Sequence, residues 1–208
     1  MIKSTNTYVL NAASEAISFS GISEHCCVGI VDIVNSTNIT ARLHPTQVGM
    51  YYSIFLNTMH KFVKGFGAVP VKNIGDSLLF YFPRMSDSKN RYAFKNVLDC
   101  GMIMIDARNV INEKMYENEL PDLDYRISAD YGCVVMADSA TSVERDLFGS
   151  PVNVCNKINS IALPNNMVIG GDLYQYVKNE LEYSFKEIRA CTVGHKSKYP
   201  VYSVQQIQ

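Results

Sequence analysis

The run Cys26–Ile33, which reads CCVGIVDI, constrains the fold of this chain more than any other stretch. It is apolar on both of its alternating faces, so it predicts a central strand that is covered on both sides. Asp32 lies at its end, and Asn35, Ser36 and Thr37 follow, which are residue types that start helices. An acid at this position can hold a cation beside phosphate oxygens, or it can simply cap the helix. Both interpretations stay open on this stretch alone.

The chain of 208 residues is predicted to form one domain over residues 24–208, preceded by an N-terminal arm or short helix over residues 1–23. The formal net charge of −1 gives no field that would attract nucleic acid. The six cysteines show no CxxC spacing, which favours reduced thiols in a cytoplasmic protein. No apolar run approaches the roughly 18 to 20 residues that cross a bilayer, so we expect no direct membrane insertion.

Hydrophobic periodicity predicts the remaining elements. A helix begins at Pro45, and two strands flank the turn Gly75-Asp76. The other predicted elements are a long helix over 93–116, a hairpin of strands 125–132 and 133–137, a loop over 138–148, a helix over 152–161, a short strand over 167–170, a small helix over 173–177 and a C-terminal strand. This order predicts an α+β fold, with a ferredoxin-like βαββαβ core, helices on one face of the sheet and a C-terminal α/β extension.

Two acids, Asp32 and Asp76, both stand at strand ends. In a β-α-β-β unit their strands can be neighbours, and two carboxylates that approach closely repel unless a divalent cation neutralises them. Oxygen ligands of this kind suit Mg²⁺ or Mn²⁺. Lys72 lies on the strand that leads to Asp76, where it is either part of this site or a solvated lysine.

A second group of candidates comprises Asp146, Gly149, Asn153 and Lys157. Asp146 precedes a predicted helix, and Asn153 and Lys157 project from it one turn apart. A carboxylate can accept a hydrogen bond from an exocyclic amine, an Asn can orient a ribose, and a Lys can balance phosphate charge. Alternatively, Asp146 caps the helix and Lys157 is solvated.

Three blocks resemble the catalytic domain of the class III nucleotidyl cyclases, the adenylyl and guanylyl cyclase family. They read VDIVNST, VKNIGDSLLFYF, and RISADYGCVV followed by DLFGSPVNVCNKI. Their order and spacing agree with the family from about Cys26 to Tyr202. The resemblance implies that residues 24–208 form a catalytic domain that converts a nucleoside triphosphate to its 3′,5′-cyclic monophosphate and pyrophosphate.

The resemblance also implies the metal site. Asp32 and Asp76 match the family's two metal-binding aspartates, and Ile33 would add its backbone carbonyl. The implied cofactors are two Mg²⁺ or Mn²⁺ ions per active site.

The other implied roles concern the nucleotide. Lys72 and Asp146 match the pair that reads the base, in the combination typical of adenine, and Asn153 matches the residue that positions the ribose and the transition state. The family's sites lie at a head-to-tail homodimer interface, so we expect the metals and the base-reading residues to come from different protomers.

The chain departs from the family pattern at two places. Lys157 stands where the family usually has arginine, which keeps the charge but loses the planar bidentate fork. Asn35, Ser36 and Thr37 replace the usual Gly-Phe-Thr turn, although Ser36 and Thr37 can still present hydroxyls to phosphate.

The family's C-terminal lysine, which contacts the triphosphate, has three candidates here: His195, Lys196 and Lys198. We expect Lys196 to take this role, with a solvated loop lysine as the alternative.

Three functional hypotheses follow from these observations. The leading one is a cyclase that converts ATP to cyclic AMP. The second is a pyrimidine nucleotide cyclase, which makes cUMP or cCMP in antiphage signalling, and is suggested by the unusual turn and by Lys157. The third is a nucleotide-binding regulatory module without turnover, suggested by the missing arginine.

Overall fold

The computed structural model describes residues 17–83, 85, 91–139, 145–193 and 196–207. These residues form a mixed α+β domain, as predicted. Its strands are β1 (Ile17–Ile33), β2 (Val69–Ile74), β3 (Ser77–Phe82), β4 (Tyr125–Ser139), β5 (Asp146–Phe148), β6 (Met167–Gly170), β7 (Tyr183–Val193) and β8 (Lys196–Gln206). Its helices are α1 (Ser36–Thr40), α2 (Pro45–Gly65), α3 (Arg91–Asp106), α4 (Arg108–Glu117), α5 (Ser150–Asn159) and α6 (Gly171–Val177).

The strands form one sheet in the order β2-β3-β1-β4-β6-β8-β7, and β5 pairs with β4. The first four strands are antiparallel in the order β2-β3-β1-β4, which confirms the predicted ferredoxin-like core. The predicted extension adds β6, which runs parallel to β4, and the antiparallel pairs β6-β8 and β8-β7. β1 therefore lies in the interior of the sheet, as its apolar sequence requires.

The side chains of β1 alternate between two hydrophobic cores. The larger core buries Cys27, Val31 and Ile33 together with residues of α2, α3, α4 and α6. The core on the opposite face buries Cys26, Val28 and Ile30 together with residues of β5 and α5. The prediction that the helices pack on one face of the sheet is therefore wrong, because α5 covers this second face. By the same alternation, Asp32 belongs to the face that carries α5.

Several boundaries differ from the prediction. The helix predicted over 93–116 is two helices, α3 and α4, that meet at Ala107. The predicted hairpin at Gly132 is wrong, since β4 continues through this residue. A Cβ at Gly132 would lie 2.8 Å from Cγ of Pro151 on α5, so the glycine permits close packing rather than a turn. The loop predicted over 138–148 ends in a short strand, β5. The strand β7 was not predicted.

The N-terminal boundary also moves. β1 begins at Ile17, so the predicted division after Ser23 falls inside this strand. Residues 1–16 of the predicted arm lie outside the described residues.

All six cysteines are free, and four of them are buried: Cys26, Cys27, Cys100 and Cys155. Burial raises the pKa of the Cys26 thiol to about 12, which makes it unreactive. In the part of the chain that the structure describes, no helix is both long and apolar enough to span a membrane.

Candidate active site

Asp32 lies at the C-terminal end of β1, where antiparallel pairing places it opposite Ser77 of β3 and Arg126 of β4. Ser77 Oγ donates to Asp32 Oδ1 at 2.6 Å. Arg126 donates to Oδ2 through Nε at 3.2 Å and through Nη2 at 3.0 Å. The Asp32 side chain is 17% exposed, so solvent reaches it. Both oxygens bind neighbouring strands, and Asp32 does not cap α1.

Asp76 occupies the turn between β2 and β3, which Gly75 makes possible with a φ of 62°. Asp76 Oδ2 accepts a hydrogen bond from Ser36 Oγ at 2.5 Å. Ser36 can point at the hairpin because the chain turns sharply at Asn35, whose φ is 60°. The Asp76–Ser36 contact therefore lies beside the Asp32–Ser77 contact, since Asp76 and Ser77 are consecutive residues.

The donors at this end of the sheet fit a small divalent cation. Asp32 and Asp76 supply carboxylates, and the end of β1 carries the Ile33 carbonyl that the family resemblance assigns to the metals. The protein would supply only these two carboxylates, since among the described residues no group of three or more His, Cys, Asp or Glu side chains could hold a metal. Two carboxylates are what Mg²⁺ commonly takes from a protein when substrate phosphates and water complete its coordination.

Lys72 and Asp146 form an ion pair although they are 74 residues apart in the sequence. Lys72 Nζ lies 2.7 Å from Oδ2 and 2.5 Å from Oδ1 of Asp146. Lys72 belongs to β2 at the edge of the sheet, and Asp146 is the first residue of β5. Their side chains are 45% and 30% exposed, respectively. The structure thus joins the two residues that the resemblance assigned to the base, and Asp146 is not a helix cap.

Asn153 and Lys157 lie one turn apart on the exposed face of α5. The opposite face of the helix buries Val154 and Ile158. Lys157 Nζ donates a hydrogen bond to the backbone carbonyl of Thr192 in β7, so it is not a freely solvated lysine. Asn153 faces solvent next to it.

Buried polar contacts fasten α5 to the sheet. Ser128 Oγ donates to the Cys155 carbonyl at 3.0 Å, and the Cys155 thiol donates to the Val28 carbonyl at 3.1 Å. Asn159 Nδ2 donates to Ser128 Oγ at 3.3 Å and to the Ile30 carbonyl at 3.4 Å. These bonds tie the helix that carries Asn153 and Lys157 to β1 and β4.

A buried carboxylate, Asp130, lies in the middle of β4 and is only 1% exposed. It accepts hydrogen bonds from Tyr199 Oη at 2.7 Å and from the Leu173 backbone N–H at 3.2 Å. Burial raises the pKa of Asp130 to about 6, and these hydrogen bonds oppose part of that effect.

The remaining candidates are placed as follows. Asn35 and Thr37 are exposed at the start of α1, whereas Ser36 is buried. The Lys196 backbone begins β8, but its side chain lies outside the described residues, as does His195.

Sequence reasoning missed Arg126, the ionic partner of Asp32. The signal was the antiparallel pairing of β1 with β4, which aligns Asp32 with Arg126. Because the sequence predicted a hairpin over 125–137 in place of one strand, this register was not predicted.

Comparisons with known proteins concern the family and the fold of this chain. Residues 20–206 match the family model of the adenylate and guanylate cyclase catalytic domain. A cytidylate cyclase from Escherichia coli is 24% identical over 181 residues, which cover 84% of this chain and 40% of the relative. An adenylate cyclase from Streptomyces coelicolor is 25% identical over 148 residues, which cover 71% and 32%. The chain thus spans only 32% to 40% of the length of these relatives.

The fold is shared with solved cyclase structures. The adenylyl cyclase CyaB from P. aeruginosa superposes with a TM-score of 0.80 at 17% sequence identity, over 90% of this chain and 96% of that one. This likeness supports the fold, and the family match extends over nearly all of the sequence. The chain therefore belongs to the adenylate and guanylate cyclase catalytic domain family.

Proposed function

We propose that this chain is a nucleotidyl cyclase that converts ATP to 3′,5′-cyclic AMP and pyrophosphate at the interface of a head-to-tail homodimer. The observation that carries the choice of nucleotide is the contact between Lys72 and Asp146. The proposal rests on the hydrogen-bonding pattern that these two side chains offer to a base.

Adenine presents an exocyclic amine as a donor and an adjacent ring nitrogen as an acceptor. Asp146 can accept from the amine while Lys72 donates to the ring nitrogen. Guanine and uracil present the reverse pattern, a carbonyl acceptor beside a ring N–H donor. Both would place an acceptor against the carboxylate and a donor against the ammonium, so the pair disfavours GTP and UTP.

The other site residues act on the sugar and the triphosphate. Asp32 and Asp76, with the Ile33 carbonyl, would hold two Mg²⁺ or Mn²⁺ ions, which when bound help the ribose 3′-hydroxyl to lose its proton and neutralise the phosphates. Asn153 would orient the ribose. Thr37 would donate its exposed hydroxyl to phosphate at the turn that Asn35 creates. Ser36, which is buried and whose single O–H donates to Asp76, would hold that carboxylate in place.

Positive charge on the triphosphate would come from lysines. Lys157 supplies an ammonium from α5, and Lys196 would supply another from the β7–β8 hairpin. Stabilising charge that develops on the leaving pyrophosphate is the main catalytic contribution that such residues can make.

The proposed dimer is supported by where the two groups of residues lie in one chain. Asp32 pairs with Arg126 near the start of β4, whereas Asp146 pairs with Ala137 near its end. A head-to-tail arrangement would bring the metal-binding end of one protomer to the base-reading residues of its partner. A monomer would then be inactive.

The test is incubation of the purified protein with Mn²⁺ and each of the four nucleoside triphosphates, with product identification by mass spectrometry. We expect cyclic AMP as the main product, and its loss in Asp32→Asn and Asp76→Asn. Glu117→Gln, which removes an exposed carboxylate at the end of α4, is the matched control and should keep activity. A folded dimer that makes no cyclic product from any nucleotide refutes the proposal. ATP binding without turnover, unchanged by Lys157→Arg, would indicate a regulatory module instead.

A second candidate substrate is CTP. Cytosine carries an exocyclic amine beside a ring nitrogen acceptor, so it offers Asp146 and Lys72 the same pattern as adenine. The Escherichia coli relative is a cytidylate cyclase. The same assay separates the two, since a higher kcat/KM for CTP than for ATP would reverse the assignment.

A further inference from the structure

The β7–β8 hairpin is irregular next to Lys157. Cys191 pairs with Tyr199, but the next pair along the hairpin is Val193 with Lys196, so the register shifts at Thr192. Such an irregularity interrupts the ladder of hydrogen bonds and changes the direction of the local backbone groups. The Thr192 carbonyl accepts the hydrogen bond from Lys157 Nζ. The shift in register thus coincides with the contact that α5 makes to the hairpin.

Tyr199, the partner of Cys191, anchors the hairpin beside this irregularity. Its side chain is 2% exposed and belongs to the same buried cluster as Val154 and Ile158, on the inner face of α5. Its hydroxyl donates to Asp130 Oδ2 at 2.7 Å and accepts from the Asp172 backbone N–H at 2.8 Å. One side chain therefore connects β8 to β4, to the start of α6 and to the helix that carries Lys157.

The space for the Asp130 carboxyl group is provided by a glycine. A Cβ at Gly170 would lie 2.4 Å from the carboxyl carbon of Asp130, so any other residue there would displace the carboxylate. Asp130 also accepts from the Leu173 N–H, which leaves it bonded on both oxygens. Its position is consequently fixed from two sides, and so is the Tyr199 hydroxyl that it holds.

We propose that the Asp130–Tyr199 pair is a positioning element for Lys157: it fixes the hairpin so that the Thr192 carbonyl holds the Lys157 ammonium in one place. An ammonium has three donors, so the bond to Thr192 leaves two for a phosphate oxygen. A lysine lacks the planar fork that orients an arginine on phosphate, and an anchored ammonium recovers part of that orientation. The effect of this positioning on catalysis rests on the proposed function, whereas the positioning of the Lys157 ammonium does not.

The positioning is tested without turnover, by the rate at which an amine-reactive acetylating reagent modifies each lysine, followed by mass spectrometry. Tyr199→Phe should raise the rate at Lys157 about threefold or more, because the ammonium is no longer held on Thr192. Tyr202→Phe is the matched control on the same strand, where the ring stacks on Tyr174, and it should leave the rate unchanged. An unchanged rate at Lys157 in Tyr199→Phe overturns the proposal.

Lys114 on α4 serves as the internal reference in each labelling experiment. A rise at Lys114 equal to that at Lys157 means general loosening of the fold and also overturns the proposal. If Tyr199→Phe does not fold, Asp130→Ala takes its place. Alanine removes the acceptor of the Tyr199 hydroxyl, so the same rise at Lys157 is expected.

Turnover provides a second, separate readout. Tyr199→Phe should lower kcat about tenfold and change KM by less than about twofold, since Lys157 acts mainly on charge in the transition state. In a Lys157→Ala background the same substitution should have little further effect. Equal losses in both backgrounds overturn the proposal. If the wild-type protein makes no cyclic nucleotide, the proposed function fails, and the labelling result still decides the positioning.

Discussion

The Lys72–Asp146 pair should matter far more for base selection than for stability. Its atoms lie 2.5 to 2.7 Å apart, but the side chains are 45% and 30% exposed. Exposed pairs of this kind contribute about 0.2 to 1 kcal/mol, because water screens the charges and two long side chains lose freedom. A double-mutant cycle of Lys72→Ala and Asp146→Ala should therefore give a coupling free energy of unfolding below about 1 kcal/mol.

The same substitutions should have a larger effect on turnover of the preferred nucleotide. Each removes one hydrogen bond from a charged group to the base, which is worth about 1.5 to 3 kcal/mol. That corresponds to roughly a tenfold to a hundredfold loss of kcat/KM. GTP and UTP, which gain nothing from the pair, should lose much less, so discrimination among the four nucleotides should narrow.

Urea unfolding gives the stability values, and initial rates with ATP, CTP, GTP and UTP give the selectivity. Arg108→Ala is the control, since it breaks the ion pair between Arg108 and Asp124, whose atoms lie 2.7 Å apart and whose side chains are 32% and 41% exposed. It should lower stability by a similar amount and leave selectivity unchanged. The reasoning fails if Lys72→Ala costs more than about 2 kcal/mol of unfolding free energy, or if all four nucleotides lose the same factor.

Three further predictions concern the residues around the site. Asn35→Ala should lower the free energy of unfolding by about 1 to 2 kcal/mol in chemical denaturation, because alanine is strained at a φ of 60°, whereas Asn35→Gly should change it by less than half as much. Arg126→Gln should tighten Mn²⁺ binding in calorimetry several-fold in the absence of nucleotide, since the guanidinium competes for Asp32; weaker binding would contradict this role. Asp130, whose folded pKa of about 6 exceeds its ordinary value of 3.8, should contribute stability that is present below pH 4 and is lost as pH rises through 6. Relative to Asp130→Asn, the wild type should lose on the order of 3 kcal/mol across that window in urea unfolding, and a constant difference would contradict the pKa.

The regular elements were accessible from the sequence because their patterns are local. The stripe of α2 recurs every four residues and is buried at each of them: Tyr51, Phe55, Met59 and Val63. Gly132 was misinterpreted because a glycine in a strand signals either a turn or a close contact with another element. Only the position of Pro151 on α5 decides between the two, and that is a tertiary fact.

The candidate site likewise contains some contacts that the sequence predicts and others that depend on the tertiary structure. Asp32 and Asp76 can be associated from strand order, since neighbouring strands bring their ends together. The contact of Lys72 with Asp146 spans 74 residues and was reached only through the family resemblance. The bond from Lys157 to Thr192 could not be predicted at all, because it depends on a register shift inside a strand pair whose first member, β7, has no clear sequence pattern.

The local sequence does not predict on which face of the sheet Asp32 lies. Because β1 is apolar on both faces, its alternation does not indicate which set of side chains meets α5 and which meets the larger helical layer. The structure assigns the even-numbered positions to the face of α5, and Asp32 is one of them. This assignment places Asp32, the proposed metal ligand, on the same side of the sheet as the helix that carries Asn153 and Lys157. A slip of one residue in the pairing of β1 would turn Asp32 into the larger core, where an unpaired carboxylate is strongly destabilising. The register of the central strand and the location of the site are therefore set by the same apolar residues.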